Sequence, residues 1–517
     1  MMTLTYILGA LVLLGLCIFV HELGHLLGGR MVGIKARVFS MGYGKGVLKK
    51  KIGETTYQVT LIPLGGYCQF YGEDPSEKRS GEGFEFLSAH PLKRIVTVAM
   101  GPIFNLIFGI VLFYTMNLVG YNKETSRIMI PPEMTSGEYV SPAYTAGLRT
   151  GDIITGINGN DIKAFTDIQT EVFFSDGKEL QVSIDRNGEH KVFSVKPRGD
   201  AGESRFTIGV MPHASGITVT RTVKGGPAEI TGIAAGDVIT KVDKVDIHYP
   251  SDFSDYLQNN IGRDVTINYL RKGEERSAVI KPALSEIYMI AQETGKKGMQ
   301  SFAGNEEFKK TIEAGGVRVD GKPIKTYGEF LSDVEKSKER NVIIDVKDAR
   351  YEGKIEIAKK AMIGIEIGVS FDMVHVQYGA LEGLKQAIIE PWDFIVVNLK
   401  GFGMLFSGEL NVRENLSGPI RIAKIAGDVL YERGIADFIL LMARISIILM
   451  FMNLLPIPAV DGSHILFYTI EALRGKPIKE SIMVKIQTFG ILFLIVLGVF
   501  VIVNDISMLP VVQNLFK

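Results

Sequence analysis

Four stretches of the chain stay apolar for about the 20 residues that a helix needs to cross a bilayer. They run from Leu4 to Leu27, roughly Ile95 to Tyr121, roughly Phe438 to Leu455, and roughly Ile486 to Val503. The first is interrupted near its end by His21, Glu22 and His25. It does not read as a cleaved signal peptide, because no Lys or Arg precedes the run and no small-residue cleavage pattern follows it. It is expected to be a retained transmembrane helix. Between the first two stretches the pattern changes to alternation. Tyr57-Gln58-Val59-Thr60-Leu61-Ile62 predicts a strand, and Pro63-Leu64-Gly65-Gly66-Tyr67 follows with glycines that permit close backbone approach. A further apolar segment, Leu384 to Leu410, carries Lys385, Glu390, Trp392, Asp393 and Lys400 and reads as an interfacial amphipathic helix, not a fifth crossing.

Basic residues orient this arrangement. Nine Lys/Arg lie between Arg30 and Arg79, Lys93 and Arg94 abut the second stretch, and Arg474, Lys476 and Lys479 fill the loop between the third and fourth. The bias predicts both termini, and the long segment from about 122 to 435, on the extracytoplasmic side. Over 517 residues, Lys+Arg 57 balances Asp+Glu 57, so no global basic field favours nucleic acid as a partner. Hydrophobic residues at 46% with charged residues at 22% fit a chain with both lipid-embedded and water-soluble parts. Two cysteines, Cys17 and Cys68, exclude a disulfide scaffold and a thiolate zinc module, so any metal must be held by His, Asp or Glu.

The long segment contains a repeat. Ile157-Asn158-Gly159-Asn160-Asp161-Ile162 recurs as Val242-Asp243-Lys244-Val245-Asp246-Ile247 and as Val319-Asp320-Gly321-Lys322-Pro323-Ile324, at offsets of 85 and 77 residues. Each copy precedes a helical pattern around Phe165, Phe253 or Phe330 and then alternating strands, which predicts small α+β modules. The first two also share Ala146-Gly147-Leu148-Arg149-Thr150-Gly151-Asp152 and Ala235-Gly236-Asp237 turns. The third lacks that turn, and its Ile367-Gly368-Val369 echoes Ile208-Gly209-Val210. It reads either as a degenerate third module or as an elaboration of the second.

His21-Glu22-Leu23-Gly24-His25 fits H-E-x-x-H, which on a helix puts two imidazoles on one face with a carboxylate beside them. Ionisable groups inside a spanning helix are costly, roughly 2.5 kcal/mol or more for a charged one, and are functional candidates for that reason. At the end of the third stretch stands Asn453-Leu454-Leu455-Pro456-Ile457-Pro458-Ala459-Val460-Asp461-Gly462. Its prolines cannot continue a helix, so the backbone must open at membrane depth, tolerable only where it lines a cavity. Asp461 can complete a three-ligand zinc site with His21 and His25, leaving a fourth position to water.

Together these motifs resemble the site-2 protease family of intramembrane zinc metalloproteases, in the bacterial branch with PDZ domains that cleaves anti-sigma factors and signal-peptide remnants. Gly101-Pro102-Ile103-Phe104-Asn105 and Leu416-Ser417-Gly418-Pro419-Ile420 are typical of it, and Asp461-Gly462-Ser463-His464 departs from its D-G-G-H by one small residue. The resemblance implies a polytopic α-helical membrane protein of about four transmembrane helices, with a membrane-associated β-hairpin or sheet and extracytoplasmic α+β PDZ-like domains. It implies a zinc cofactor held by His21, His25 and Asp461, Glu22 as catalytic acid/base, and Asn453, Asn105, Gly65 and Gly66 on the substrate. His464 is expected to be structural.

The implied organisation is 1–121 as the first half of the catalytic membrane core with a β segment at 36–72, then 122–212 and 213–283 as PDZ-like domains. A degenerate third module or insertion follows at 284–378, interfacial amphipathic helices at 379–435, and the second half of the core at 436–517. Expected partners are single-span transmembrane substrates, the lipid bilayer of the inner membrane, and peptide C-termini at the PDZ-like domains, without nucleic acid. The PDZ-like domains would add an extended peptide to a sheet edge or act as spacers and size filters. The competing reading is a catalytically silent membrane scaffold that recruits peptides.

Overall fold

The computed structural model describes residues 2–74, 78–136, 140–200, 203–291, 299–301, 311–336, 341–346, 349–407 and 418–507. The chain forms two compact units, one made chiefly of the residues up to Asn122 and from His375 onward, the other chiefly of Lys123–Asp200 and Arg205–Val374.

Among the described residues of the first unit, four helices are long and apolar enough to cross a membrane, within Met2–Met31, Pro91–Val119, Ile435–Leu454 and Glu480–Ser507. All four coincide with the apolar stretches of the sequence. The last begins six residues before Ile486, because a polar turn including Glu480 and Lys485 precedes its apolar body. Small residues let the first two helices touch along their backbones. A Cβ on Gly24 would come within 2.9 Å of the Gly101 Cα, and one on Gly28 would lie 2.7 Å from the Met100 side chain. Helix 435–454 packs on an adjacent face of helix 91–119, where Gly109 leaves room for Ile447 and Ala443 beside buried Phe113 and Met116. Helix Ala380–Phe406 is not among the candidate spans. It buries Ala387 against this cluster and leaves Leu381 and Trp392 exposed, an amphipathic division that agrees with its charged residues.

The β segment consists of two long strands, Ala36–Ile52 and Thr55–Phe70, whose register doubles back. Met41 faces Gly66 on one side and Val59 on the other, while Leu48 faces Val59 from beyond. The segment is therefore a small sheet in which 36–41 lies between 66–70 and 56–59, and 66–70 forms an edge. Gly42 and Gly65, both at positive φ, allow the sharp changes of direction that this folding back requires.

In the second unit, the first module has strand order Asn160–Asp161, Ile153–Ile157, Leu180–Arg186, Glu189–Val195, with helix Phe165–Phe174 covering a core that includes Ile154, Ile168, Val182 and Ile184. The repeat turn has one structural purpose in all three copies. Asn158, Asp243 and Asp320 adopt φ of 52°, 53° and 52°, and their side-chain oxygens accept from the backbone N–H of Gln181, Thr266 and Ile343 at 2.9, 2.8 and 2.9 Å. Asn and Asp tolerate the left-handed region and can make this bond, which explains their recurrence. The first two modules share a second tie. Asp152 and Asp237, nearly fully buried, each receive a bidentate arginine, Arg186 and Arg271, which also donates to the carbonyl of Gly147 or Gly232.

The closing echo of the third copy belongs elsewhere. The Ala143 N–H donates to the Ile208 carbonyl at 2.9 Å, and the equivalent Ala228 N–H donates to Ile363 at 3.0 Å. Gly209 and Gly364 both have positive φ, 70° and 77°. The counterpart of Ile208-Gly209-Val210 is thus Ile363-Gly364-Ile365, and Ile367-Gly368-Val369 is plain strand alternation within Ile365–Phe371. That strand pairs along Ala214–Thr222 in the second module's sheet, ordered Glu274–Ile280, Val265–Arg271, Val238–Val242, Ala214–Thr222, Ile365–Phe371. The second module therefore does not end at 283, and the expected boundary there falls inside it. The third copy, with its own sheet and a core around Phe330, Val317 and Ile344, is inserted between its last two strands.

Candidate metal centre and its surroundings

Helix 2–31 carries His21 and His25 one turn apart, with ring centroids 4.7 Å apart and planes perpendicular. Pro456 and Pro458 end helix 435–454 and open the backbone as far as Val460, and Asp461 starts helix Asp461–Arg474. Ala459, two residues before Asp461, is held at φ 77°, a conformation that costs a non-glycine residue about 1–3 kcal/mol. Gly462 packs so closely on the Leu454 and Leu455 carbonyls that a Cβ would overlap both. Ser463 donates its hydroxyl to the Val460 carbonyl at 2.8 Å, so the residue that departs from the family pattern stabilises the turn into the helix.

Asp461 Oδ2 lies 3.1 Å from His21 Nε2 and 3.5 Å from His25 Nε2, and the two Nε2 atoms are 3.1 Å apart. These are three lone-pair atoms crowded together in a half-buried site, and Asp461 Oδ2 has no hydrogen-bond donor. Such crowding is unfavourable without a cation. A tetrahedral zinc with bonds of ~2.0–2.1 Å keeps its ligand atoms ~3.3 Å apart, which matches all three edges. Two imidazoles and one carboxylate are also the donor set of a zinc site that keeps a position open for chemistry. The residues present therefore fit zinc.

The profile of Peptidase family M50 matches residues 9–497. This chain belongs to that family. It is a zinc metallopeptidase, in agreement with the donor set. Among similar proteins, one named as a zinc metalloprotease from Neisseria meningitidis is 26% identical over 98% of this chain and 99% of its own length. A "Regulator of sigma E protease" of Haemophilus influenzae is 27% identical over 98% and 99%, and a "Protease RseP" of Yersinia pestis is 25% identical over 98% and 100%. A PDZ domain of an SdrC-like protein from Listeria innocua, 26% identical, covers 18% of this chain and 96% of that one with a TM-score of 0.12.

In this M50 peptidase, Glu22 neighbours the metal cluster and is approached by the sheet edge. A Cβ on Gly66 would lie 3.2 Å from Glu22 Cγ, and the Cys68 backbone amide interacts with the Glu22 carboxylate. Gly65 does not reach the cluster. Its left-handed backbone lies under the ring of Tyr43, whose hydroxyl donates to the Gly66 carbonyl at 3.2 Å. Asn105 meets the cluster from behind, at His21 Nδ1. Asn453 is half-buried at the end of helix 435–454. His464 lies outside the cluster and meets Gln487 at 3.1 Å and Tyr468 at 3.4 Å.

Two ties escaped sequence reasoning. Arg94, almost fully buried, pairs with Glu471 at 2.6 Å, donates to the Ala89 carbonyl at 3.0 Å and lies over the Tyr468 ring at 4.7 Å. It locks helix 461–474, and hence Asp461 at its start, onto helix 91–119. Asp505, near the end of helix 480–507, accepts from the N–H groups of Gly418, Ile420 and Arg421 at 2.9, 3.1 and 3.0 Å. This carboxylate caps helix Pro419–Asp428 and explains the Gly418-Pro419 pair, because a Cβ on Gly418 would collide with Asp505. Leu416 and Ser417 of that motif lie outside the described residues.

Proposed function

We propose that this peptidase hydrolyses a peptide bond within the transmembrane segment of single-span membrane proteins, with His21, His25 and Asp461 as zinc ligands and Glu22 as acid/base. The observation that carries the reading is a fitted zinc donor set, two of its three ligands inside a helix long and apolar enough to span a bilayer, beside an open sheet edge. A peptide bond in a spanning helix is concealed by its own hydrogen bonds, so cleavage requires local unwinding. The edge 66–70 receives the unwound substrate as an added strand, and the adjacent glycines let its backbone approach Glu22. Zinc, when bound, supplies Lewis acidity that polarises the scissile carbonyl and acidifies water. Glu22 takes a proton from the attacking water and delivers it to the departing amine. Asn453 and Asn105 help to hold the scissile region.

The basic loops favour an inner-membrane orientation with both termini and the modules in the periplasm. There the PDZ-like modules gate entry, by gripping a newly exposed C-terminus or by excluding bulky external domains. The names of the Haemophilus and Yersinia relatives support an anti-sigma factor as substrate, and remnant signal peptides demand the same chemistry. The test is cleavage of a panel of single-span peptides by purified protein beside Glu22→Gln, with bound zinc quantified in both. The proposal expects about one zinc in each and cleavage only by the wild type. Full turnover by Glu22→Gln removes Glu22 from the mechanism. Zinc in both without cleavage by either, even after the external modules are trimmed, favours the scaffold.

A further inference from the structure

Asn105 is completely buried in helix 91–119, its backbone carbonyl accepts from the buried Ser446 hydroxyl at 2.8 Å, and its amide lies 3.4 Å from His21 Nδ1. Its Oδ1 is buried without a partner. His21 turns Nε2 toward Asp461 and His25, so a neutral imidazole offering its lone pair there carries its proton on Nδ1. That N–H needs an acceptor. The amide nitrogen stands nearest Nδ1, but the two ends of a carboxamide have the same shape and the hydrogen-bond network decides between them: nitrogen there sets donor against donor and leaves Oδ1 without a partner. The oxygen belongs opposite Nδ1.

His25 shows the same design in unambiguous form, because its Nδ1 meets the Thr97 backbone carbonyl at 3.1 Å. Thr97 and Asn105, eight residues apart on one helix, thus face the Nδ1 atoms of the two imidazoles, and Ser446 of helix 435–454 ties the backbone of Asn105.

We infer that Asn105 is a positioning residue that holds His21 in the Nδ1-protonated tautomer by accepting its proton through Oδ1. This goes beyond a substrate-holding role and rests on the ligand assignment proposed above. Such backing bonds fix the orientation and basicity of a metal-bound imidazole, and their loss weakens metal affinity about 10–100-fold.

The experiment uses the purified full-length chain. Zinc affinity is read by chelator competition, and the geometry of the site by the visible absorption of the cobalt-loaded form. Asn105→Leu, which keeps the volume and removes the acceptor, should weaken zinc about 10–100-fold and change the cobalt spectrum. Asn105→Asp, which retains an acceptor oxygen, should hold zinc at least as tightly as wild type. Ser446→Ala, which leaves the amide in place, should hold zinc with wild-type affinity. His21→Ala separates the two layers of the argument. If it binds zinc like wild type, the ligand assignment fails. If it loses zinc while Asn105→Leu retains wild-type affinity and spectrum, the positioning role is overturned. Should Asn105→Leu not fold, a tenfold weaker Asn105→Asp overturns it as well.

Discussion

Gly101 lies where the second membrane helix passes directly across the face of His25, and replacing it with Ala is the most direct test of how tightly that crossing sets the metal site. A Cβ at this position would overlap His25 Cε1 and Nε2, and even Nδ1 would stand at only 2.9 Å. Bringing Nδ1 alone to the ordinary contact distance of 3.4 Å requires a shift of 0.5 Å, and the two nearer atoms need more. Metal–ligand distances tolerate only about 0.2 Å. The helices cannot separate freely to absorb the difference, because Gly24 and Gly28 of helix 2–31 already rest on the backbone and side chain of Met100. The imidazole must therefore leave its place, break its bond to Thr97, or both. Removing a ligand should cost more than the upper figure for a lost backing bond, so Gly101→Ala is expected to bind zinc more than about 100-fold more weakly. The assay is chelator competition on purified protein, with cleavage of a single-span substrate measured in parallel. Gly15→Ala is the control, since a Cβ there meets nothing within 4 Å and the helix that carries His25 gains a methyl group without a new contact. Gly101→Ala protein that holds one zinc with wild-type affinity would refute the reasoning.

Two other perturbations test separate parts of the molecule. Asp461→Asn removes the anionic ligand and should weaken zinc retention by at least about tenfold, read by the same competition, and unchanged affinity and stoichiometry would remove Asp461 from the ligand set. In the second module, burial works to raise the pKa of Asp237, but the bidentate Arg271 and the Ala234 N–H outweigh it and hold the carboxyl below its ordinary value. The stability this lends is full above the unfolded carboxyl pKa, about 3.9, and is lost as pH falls through that value toward the lower folded one. The protection factors of strands 238–242 and 265–271, corrected for the intrinsic exchange rate at each pH, should therefore fall below about pH 4 in wild type. Asp237→Asn should already open about 2 kcal/mol more easily at pH 7 and lose that pH response, whereas wild-type protection at pH 7 would deny the ion pair its role.

The sequence was most readable where a single periodicity or composition decides the outcome. The four helices long and apolar enough to span a bilayer follow from apolar length alone, and the placing of His21 with His25 from the period of one helix. Asp461 followed from prolines that cannot continue helix 435–454 and from a carboxylate that needs a reason to sit beside them. The reading was weakest where the answer depended on pairing between distant residues. Arg94 and Glu471 are 377 positions apart, and each alone looks like an ordinary charged residue near a helix end. The two Ile-Gly-aliphatic triplets at 363–365 and 367–369 are equivalent as strings, and only the left-handed backbone of Gly364 distinguishes the module's closing turn from a strand interior. The doubled register of 36–70 was likewise hidden, since alternation specifies a strand and its faces but not how many neighbours it has.

The interrupted second module also has a consequence for how the chain is made. Its sheet opens with Ala214–Thr222 but lacks the neighbouring strand until Ile365–Phe371 has been synthesised, so its edge waits while the whole third module emerges and folds. Domains form in order of synthesis at about 5–20 residues per second, which leaves that edge uncovered for several seconds. Once residue 371 is available, only the segment to Ile435 separates it from the third spanning helix. Completion of the module and synthesis of the helix that leads to Asp461 thus fall close together in time. Because Asp461 follows the last strand of the module in the chain, the order of translation keeps the metal site without its carboxylate until that strand has been made.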